Sequence, residues 1–300
     1  MENQLKPFSR ALAFTWVFLA YLLGIAAFFF TTDLLFSKGY EPIWAILIAD
    51  IVCTVVVFIF SFIFKNTSFY DPYWSILPIF IVLMLAFRGF TEGTYDAQRN
   101  LIIFVLVAFW GLRLTWNWAR GWTGLHHIDW RYVDFEKKFP KLFWLISFSG
   151  LQLMPTILVF LGLLPLFGAM TDIQNDFNWL DIVAATITFS AILIELISDN
   201  QLRKFVKTKE PGTTLTSGLW KYSRHPNYFG EVAFWWGIYL FALAANPDYW
   251  WTIIGAVCMT LLFHFISIPM IEKRHLERRK DYQEVIRKVP RWVLWFPKEK

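Results

Sequence analysis

Eight long apolar runs divide this 300-residue chain, and they constrain its fold more than any other feature. A helix needs about twenty consecutive apolar residues to cross the hydrocarbon core of a bilayer. The runs therefore predict an all-α polytopic membrane bundle of about seven to eight transmembrane helices in one domain over residues 1–300. They lie near residues 11–30, 43–64, 75–90, 100–118, 142–170, 179–199, 228–245 and 250–270.

The composition excludes a soluble globule. Apolar residues make up 57% of the chain and the mean hydropathy is +0.45, more apolar surface than a fold of this size hides from water. Both cysteines, Cys53 and Cys258, lie inside apolar runs, which excludes a disulfide framework. The first run is long for a signal peptide and is expected to be retained. Pro155 and Pro165 are expected to break the overlong fifth run into a span plus a re-entrant or tilted piece.

The distribution of positive charge supports eight crossings. With eight helices, 24 of the 28 lysines and arginines fall on one side of the membrane and three on the other, with Arg113 inside the fourth run. Such asymmetry is typical of correctly assigned spans. Both termini are therefore expected in the cytosol, with the protein in a bacterial inner membrane or the endoplasmic reticulum. The net charge of +5 is then explained by loops beside anionic headgroups, with no nucleic-acid partner.

The polar segment Leu219–Glu231 lies between a basic loop and the seventh apolar run, where water meets membrane. Arg224 and His225 supply positive charge and donors, Asn227 an amide, and Glu231 a carboxylate one helical turn later. Polar groups at this depth are costly and usually functional. The segment is therefore expected to form the rim of a cofactor site.

Two polar stripes are predicted on otherwise apolar helices. Arg113, Asn117 and Arg120 are spaced for one face of the fourth span, and Glu195, Asp199 and Arg203 for one face of the sixth. Facing protein, they would frame a pocket open to the cytosol. The alternatives are snorkelling of the arginines to headgroups and an intrahelical ion-pair ladder. The basic run that contains Arg203, Lys204 and Lys207 suits either a phosphate clamp or the charge asymmetry alone.

Metal and Rossmann chemistry are not supported by the sequence. The five histidines lack the short repeated spacings of a membrane di-iron site, and no His-Glu-x-x-His motif occurs. No Gly-x-Gly-x-x-Gly fingerprint opens a strand and helix. Isolated Asp50 is expected to make a buried interhelical hydrogen bond, and His264 to be a packing residue.

The motif from Trp220 to Glu231, Trp-Lys-Tyr-Ser-Arg-His-Pro-Asn-Tyr-Phe-Gly-Glu, resembles the C-terminal half of the steroid 5-alpha-reductase family. It is followed by Glu272-Lys273-Arg274, Asp281-Tyr282 and Val289-Pro290. The segments Tyr70–Trp74 and Trp110–Trp118 look like the bacterial-type branch of that family. Sterol C14 and C7 reductases and, more distantly, isoprenylcysteine and phospholipid methyltransferases are also similar.

The resemblance implies NADPH in a cytosol-facing cavity and a hydrophobic enone substrate that enters from the lipid. Residues 171–300 would form the cofactor-binding half and residues 1–170 the substrate side. Asn227 would bind the nicotinamide carboxamide, beside Tyr228 and Glu231. The other implied cofactor residues are Asp199, Arg203, Lys204, Lys207, Tyr222, Arg224, His225 and Arg274, and the implied substrate pocket contains Trp110, Arg113, Asn117 and Glu195.

The proton donor is not assigned by the resemblance. The reductases pair a carboxylate with a tyrosine near the substrate carbonyl, but Trp110 stands where that tyrosine would fall relative to Arg113. Asp71 with Tyr70 or Tyr73 is the alternative catalytic group, since tyrosine donates to a developing enolate. Two other functions stay open: a membrane methyltransferase that uses S-adenosylmethionine, and a lipid-binding bundle without catalysis.

Overall fold

The computed structural model describes residues 9–208, 210 and 212–298, which form helices and loops without a strand. Lys6, Lys209 and Lys300, counted above among the basic residues, lie outside the described residues. We number the helices α1 to α11: Arg10–Ser37, Pro42–Ile63, Tyr73–Glu92, Ala97–Gly121, Trp130–Lys138, Phe143–Leu163, Pro165–Thr171, Trp179–Thr208, Pro226–Ala245, Pro247–Arg278 and Tyr282–Lys288.

Eight of these helices are long and apolar enough to cross a membrane: α1 to α4, α6 and α8 to α10, with α3 extended back to Thr67 by a 3₁₀ turn. They coincide with the eight apolar runs, so the predicted all-α membrane bundle is confirmed. Their apolar faces are exposed, for example at Phe18 and Phe87. In a membrane protein such faces contact lipid. The chain is thus a multi-pass integral membrane protein.

The fifth apolar run is interrupted as expected at Pro165, which begins α7 at a position where its missing N–H costs nothing. Pro155 does not end its helix. It follows a π-helical segment, Ser147–Leu153, and a wider turn of this kind tolerates the lost backbone hydrogen bond. The Gln152 side chain is fully buried within that segment.

The chain divides by its internal contacts into two compact units. The first unit contains residues 1–87 and 107–160, and the second contains residues 88–106 and 161–300. Within the first unit α1 packs along α2, and α3 lies close to α4, where a side chain at Gly111 would strike the Ser75 carbonyl. In the second unit α8 packs most extensively against α9. Gly230 and Gly237 lie on the α9 face against α8, where small residues let helix backbones approach closely.

A fully buried ion pair connects α4 with α8 in the second unit. The Arg99 guanidinium donates from Nε and Nη2 to the two carboxylate oxygens of Asp181, over 2.7 and 2.8 Å. Both side chains are 0% exposed. Asp96 accepts hydrogen bonds from the backbone N–H groups of Arg99 and Phe177, which extends the connection to the loop before α8. The pair fixes the register of these two helices.

Removal of one member of this pair is expected to be strongly destabilising. Asp181→Ala leaves the Arg99 charge buried without its bidentate partner, and such losses cost about 3 to 5 kcal/mol. The matched control is Glu92→Ala, which breaks the partly exposed Arg88–Glu92 pair and should cost less than about 1 kcal/mol. Unfolding titrations in mixed micelles measure both. Equal effects of the two substitutions would contradict the structural role of Asp181.

Candidate functional site

A cavity of about 160 Å³ lies in the second unit at the start of α9. Five residues of the segment Leu219–Glu231 line it, four of them polar: Arg224, His225, Asn227 and Tyr228. Its other polar lining comes from Thr214 in the loop before that segment, from His275 and Arg279 at the end of α10, and from Tyr282. The rest of the lining is apolar: Leu202, Leu215, Trp220, Ile271 and Val285.

The local sequence explains why the segment forms a turn and then begins helix α9 at Pro226. Pro226 occupies the first helical position of α9, with its φ already suited to a helix. The backbone N–H of His225, just before the helix, donates to Ser223 Oγ over 3.1 Å. Ser223 in turn donates to the Trp292 carbonyl over 2.8 Å, so the turn is fastened to the C-terminal segment. Asn227 and Tyr228 are thereby placed in the first turn of α9.

The Glu272 carboxylate on α10 is the centre of the polar network around the cavity. Its Oε1 is 2.8 Å from Arg224 Nε, accepts from His225 Nε2 over 3.2 Å and is 3.4 Å from the Tyr282 hydroxyl. Its Oε2 is 3.6 Å from Arg291 Nε. One carboxylate thus joins the start of α9, the end of α10 and the start of α11.

Arg224 also caps the C-terminal end of α11. Its Nη1 donates to the carbonyls of Ile286 and Val289 over 2.8 and 3.3 Å, and its backbone N–H donates to the Pro290 carbonyl. A cation at the C-terminal end of a helix also meets the negative end of the helix dipole. Nη1 and the backbone N–H of Arg224 are therefore occupied by carbonyls, and its Nε lies beside the Glu272 carboxylate.

Burial shifts the pKa of His225 and of Tyr282, which both line the cavity. It lowers the pKa of His225 below the ordinary 6.5, helped by the positive charges of Arg224 and Arg291 and opposed by the hydrogen bond to Glu272. Burial, together with the negative charge of Glu272, raises the pKa of Tyr282. At neutral pH both side chains are uncharged donors, and Glu272 carries the negative charge that holds them.

Three lining groups have polar atoms that the described residues neither hydrogen bond nor pair with a carboxylate. They are the Asn227 amide, Nδ1 of His275, which is buried, and the Arg279 guanidinium. Burial lowers the pKa of Arg279, opposed by the charges of Tyr282 and Asp281. Unpaired polar groups in a cavity wall are suited to bind a polar ligand. Sequence reasoning identified Asn227 but missed His275 and Arg279.

The remaining predicted cofactor residues do not line this cavity. Glu231 is buried and accepts from Trp235 Nε1 over 2.9 Å, one turn further along α9. Tyr222 lies just before the lining residues Arg224 and His225 in the sequence, and its ring packs edge-on against Phe296. Asp199, Arg203, Lys204 and Lys207 lie along the end of α8, and Arg274 lies on α10. Their cofactor roles stay predictions.

The first unit contains a separate buried polar cluster. Tyr73 donates to Asp50 Oδ1 over 2.8 Å and lies 2.9 Å from the Asp50 carbonyl, and both residues are 2% exposed. The expected interhelical hydrogen bond of Asp50 is thus confirmed. The Tyr70 hydroxyl lies 2.8 Å from Thr156 Oγ1, and Thr156 lies 2.9 Å from Thr54. The rings of Tyr70 and Tyr73 are stacked 5.0 Å apart.

Asp71 does not pair with Tyr70 or Tyr73. Its Oδ1 accepts from the Tyr132 hydroxyl over 2.6 Å, at the start of α5. Two further contacts connect the segment before α3 with the loop between α4 and α5. Asn66 donates to two carbonyls of that loop, and the Asp129 N–H donates to Ser68 Oγ. Burial and the charge of Asp71 raise the pKa of Tyr132. This network holds a loop in place.

The predicted substrate-pocket residues are distributed over both units. Trp110 is 0% exposed in the first unit and packs edge-on against Trp74, with ring centroids 5.9 Å apart. Arg113 is also buried there, and Asn117 accepts from Arg120 over 2.9 Å. Glu195 is 2% exposed on α8 in the second unit, opposite Gly230. Their substrate roles stay predictions.

Comparison with known proteins places this chain in a family. A family model described as "Protein of unknown function (DUF1295)" matches residues 57–289, more than half of the chain. The chain belongs to this family. The match includes Tyr73, the segment Leu219–Glu231 and Glu272, and it ends before the last residues of the chain.

The chain is also similar to a fungal protein. The chain is 28% identical over 253 residues to an uncharacterized protein, C594.04c, of Schizosaccharomyces pombe, with 76% of this chain and 72% of that protein covered. No solved structure gives a significant match.

The lowered pKa of His225 predicts a loss of stability in mild acid. Below its ordinary pKa of 6.5 an exposed histidine of the unfolded chain takes up a proton that folded His225 resists. Folding is therefore fully supported above pH 6.5, and this support falls as the pH drops toward the folded pKa. We expect the thermal midpoint to fall more between pH 7.5 and 5.5 in the wild type than in His225→Gln. His126→Gln, at an exposed loop histidine, should keep the wild-type slope, and equal slopes in all three would contradict the assignment.

Proposed function

We propose that this protein is a membrane oxidoreductase that uses NADPH to reduce a C=C bond in a hydrophobic enone or steroid-like lipid. The observation that carries the proposal is the cavity at the start of α9, in which Asn227 offers an unpaired amide beside Tyr228 and His225. An amide that reads a carboxamide is what a nicotinamide site needs. The motif in which these residues occur resembles that of the steroid 5-alpha-reductases.

The cavity has the chemistry for one end of such a cofactor. Its volume of about 160 Å³ is below the 300 to 1,000 Å³ of sites that enclose a whole ligand, so it would take a ring-sized part of the dinucleotide. Asn227 would hold the carboxamide, and Arg279 would supply charge and donors for a phosphate. The NADPH, when bound, supplies a hydride. The cation-rich end of α8, including Lys204 and Lys207, supports the same cofactor class.

Reduction of an enone also needs a group that polarises or protonates the carbonyl oxygen. Tyr73 is the best candidate in the first unit, since its hydroxyl is buried and held by the Asp50 carboxylate. A carboxylate–tyrosine pair is also what the reductases use near their substrate carbonyl. Asp50 would orient the Tyr73 hydroxyl, and Tyr73 would hold the proton at its phenolic oxygen until the substrate oxygen accepts it.

The apolar exterior supports a lipid-like substrate. The spans expose phenylalanine, leucine and isoleucine side chains to the bilayer, where a hydrophobic substrate is concentrated. The Asp50–Tyr73 pair favours reduction over methyl transfer, because transfer of a methyl group from S-adenosylmethionine does not call for a buried donor at a carbonyl oxygen.

Asn227 is expected to determine NADPH affinity. Purified protein should be stabilised against thermal unfolding by NADPH and not by S-adenosylmethionine. Asn227→Ala removes the amide and should weaken NADPH binding about tenfold, since a lost hydrogen bond to a bound ligand is worth about 1 to 1.5 kcal/mol. Asn200→Ala, at an exposed position on α8, is the control. Stabilisation by S-adenosylmethionine instead would favour a methyltransferase, and stabilisation by neither would favour a lipid-binding bundle.

Tyr73 is expected to control the chemical step and not cofactor binding. Tyr73→Phe keeps the ring and removes the hydroxyl, so NADPH oxidation with a panel of hydrophobic enones should slow by about a hundredfold or more while NADPH affinity is unchanged. Asp50→Asn should slow turnover in the same direction. Tyr132→Phe, which breaks the bond to Asp71, is the matched control and should keep most of the activity. If Tyr132→Phe abolishes turnover and Tyr73→Phe does not, the proton donor is wrongly assigned.

A further inference from the structure

The C-terminal tail, residues 291–298, carries exposed apolar side chains after the last helix. Val293, Trp295 and Phe296 are 46%, 69% and 72% exposed. Trp292 of the same tail instead packs against Phe229 and His264. The tail therefore has an inner side held by the protein and an outer side that is apolar and largely exposed, although one edge of Phe296 meets Tyr222.

Backbone hydrogen bonds hold the tail in a fixed conformation. The Trp295 N–H donates to the Tyr222 carbonyl over 3.0 Å, and the Lys298 N–H donates to the Lys288 carbonyl over 2.8 Å. Ser223 Oγ donates to the Trp292 carbonyl over 2.8 Å. The exposed side chains are thus presented on an ordered backbone, so little further entropy is lost when they meet a surface.

The tail lies beside positive charge. Residues 285–298 contain four basic side chains and no acidic one. Lys288 is paired with Glu284 over 2.7 Å, and Arg291 is 3.6 Å from Glu272. Arg287 and Lys298 are exposed, and the described residues offer neither of them a carboxylate. The bond between Lys298 and Lys288 brings the end of the tail back to this basic helix.

Aromatic side chains together with lysine and arginine are typical of the headgroup layer of a bilayer. The tail begins 13 residues after Arg278, where the last membrane-crossing helix ends. We propose that the tail is an interfacial anchor for a bilayer that contains anionic lipid. Val293, Trp295 and Phe296 enter the headgroup layer, and Arg287 and Lys298 meet the anionic headgroups.

Such an anchor has a consequence for the cavity. The tail bonds directly to Tyr222 and Ser223, and Pro290 just before it accepts from Arg224. These residues lead into the start of α9, which forms one wall of the cavity. Contact between tail and membrane therefore stabilises the segment that positions Asn227. This inference does not depend on the identity of the cofactor.

Spin labels report the environment of the tail directly. In a Cys258→Ser background, in which remaining Cys53 is buried, Trp295→Cys is labelled with an apolar nitroxide in nanodiscs of phosphatidylcholine with phosphatidylglycerol. We expect accessibility to aqueous nickel chelate to be at least about threefold lower than at Glu284→Cys, and accessibility to oxygen to be higher. Glu284 is the matched control because its side chain is 63% exposed.

Charge and occupant are tested in the same system. Arg287→Gln with Lys298→Gln, or discs of phosphatidylcholine alone, should raise nickel accessibility at position 295 toward the Glu284 value. Size-exclusion profiles check that the variants fold. Equal nickel accessibility at positions 295 and 284 in anionic discs would overturn the anchor. Low nickel accessibility at position 295 in both kinds of disc would overturn the role of anionic lipid. Spin–spin broadening would show instead that the tail contacts a second copy of the chain, which would overturn the anchor.

Discussion

The Glu272 carboxylate is the interaction on which the candidate cofactor site depends. It is half-buried at the end of a membrane-crossing helix and holds Arg224, His225, Arg291 and Tyr282 within 2.8 to 3.6 Å. A charge in such a place is stable only when cations and hydrogen bonds compensate its lost hydration. The same requirement brings three chain segments together, and the cavity is the space that remains between them. The contacts that compensate the charge of Glu272 therefore also determine the geometry of the site.

The polar groups around the cavity are of two kinds: one that stabilises the protein and three that are available to a ligand. Arg224 is ion-paired with Glu272 and donates from Nη1 to the carbonyls at the end of α11, so it contributes shape more than recognition. Asn227, His275 and Arg279 face the cavity with polar atoms that the described residues leave unpaired. A ligand with an amide at one end and an anionic group further along matches this arrangement. This match in the cavity wall is the basis on which NADPH is proposed as the cofactor, in addition to the resemblance of the motif to reductases.

The spans could be predicted from the sequence because each apolar run has the length that a bilayer demands. The hydrogen-bond partners of the polar groups could not be predicted, because helical periodicity shows which face of a helix a residue occupies but not which residue lies opposite it. Asp50 was expected to make an interhelical hydrogen bond, yet nothing in the sequence identified Tyr73 as the donor. One signal was available and missed: Glu272 and His275 are spaced i and i+3, which places them on one face of α10, and Arg279 directly follows that helix. His275 and Arg279 line the cavity, and Glu272 lies behind its wall and holds Arg224 and His225.

The first unit has two carboxylate–tyrosine pairs, and their surroundings assign them different roles. Asp71 and Tyr132 belong to a network in which Asn66 also binds loop carbonyls, so their hydrogen bond fastens the segment before α5. Asp50 and Tyr73 join two membrane-crossing helices, α2 and α3, where a buried polar pair is costly. A hydroxyl kept at that depth by a carboxylate is preorganised to donate to an oxygen that enters from the apolar side. Position between two spans, more than spacing in the sequence, is thus the reason to propose Asp50 and Tyr73 as the chemical pair.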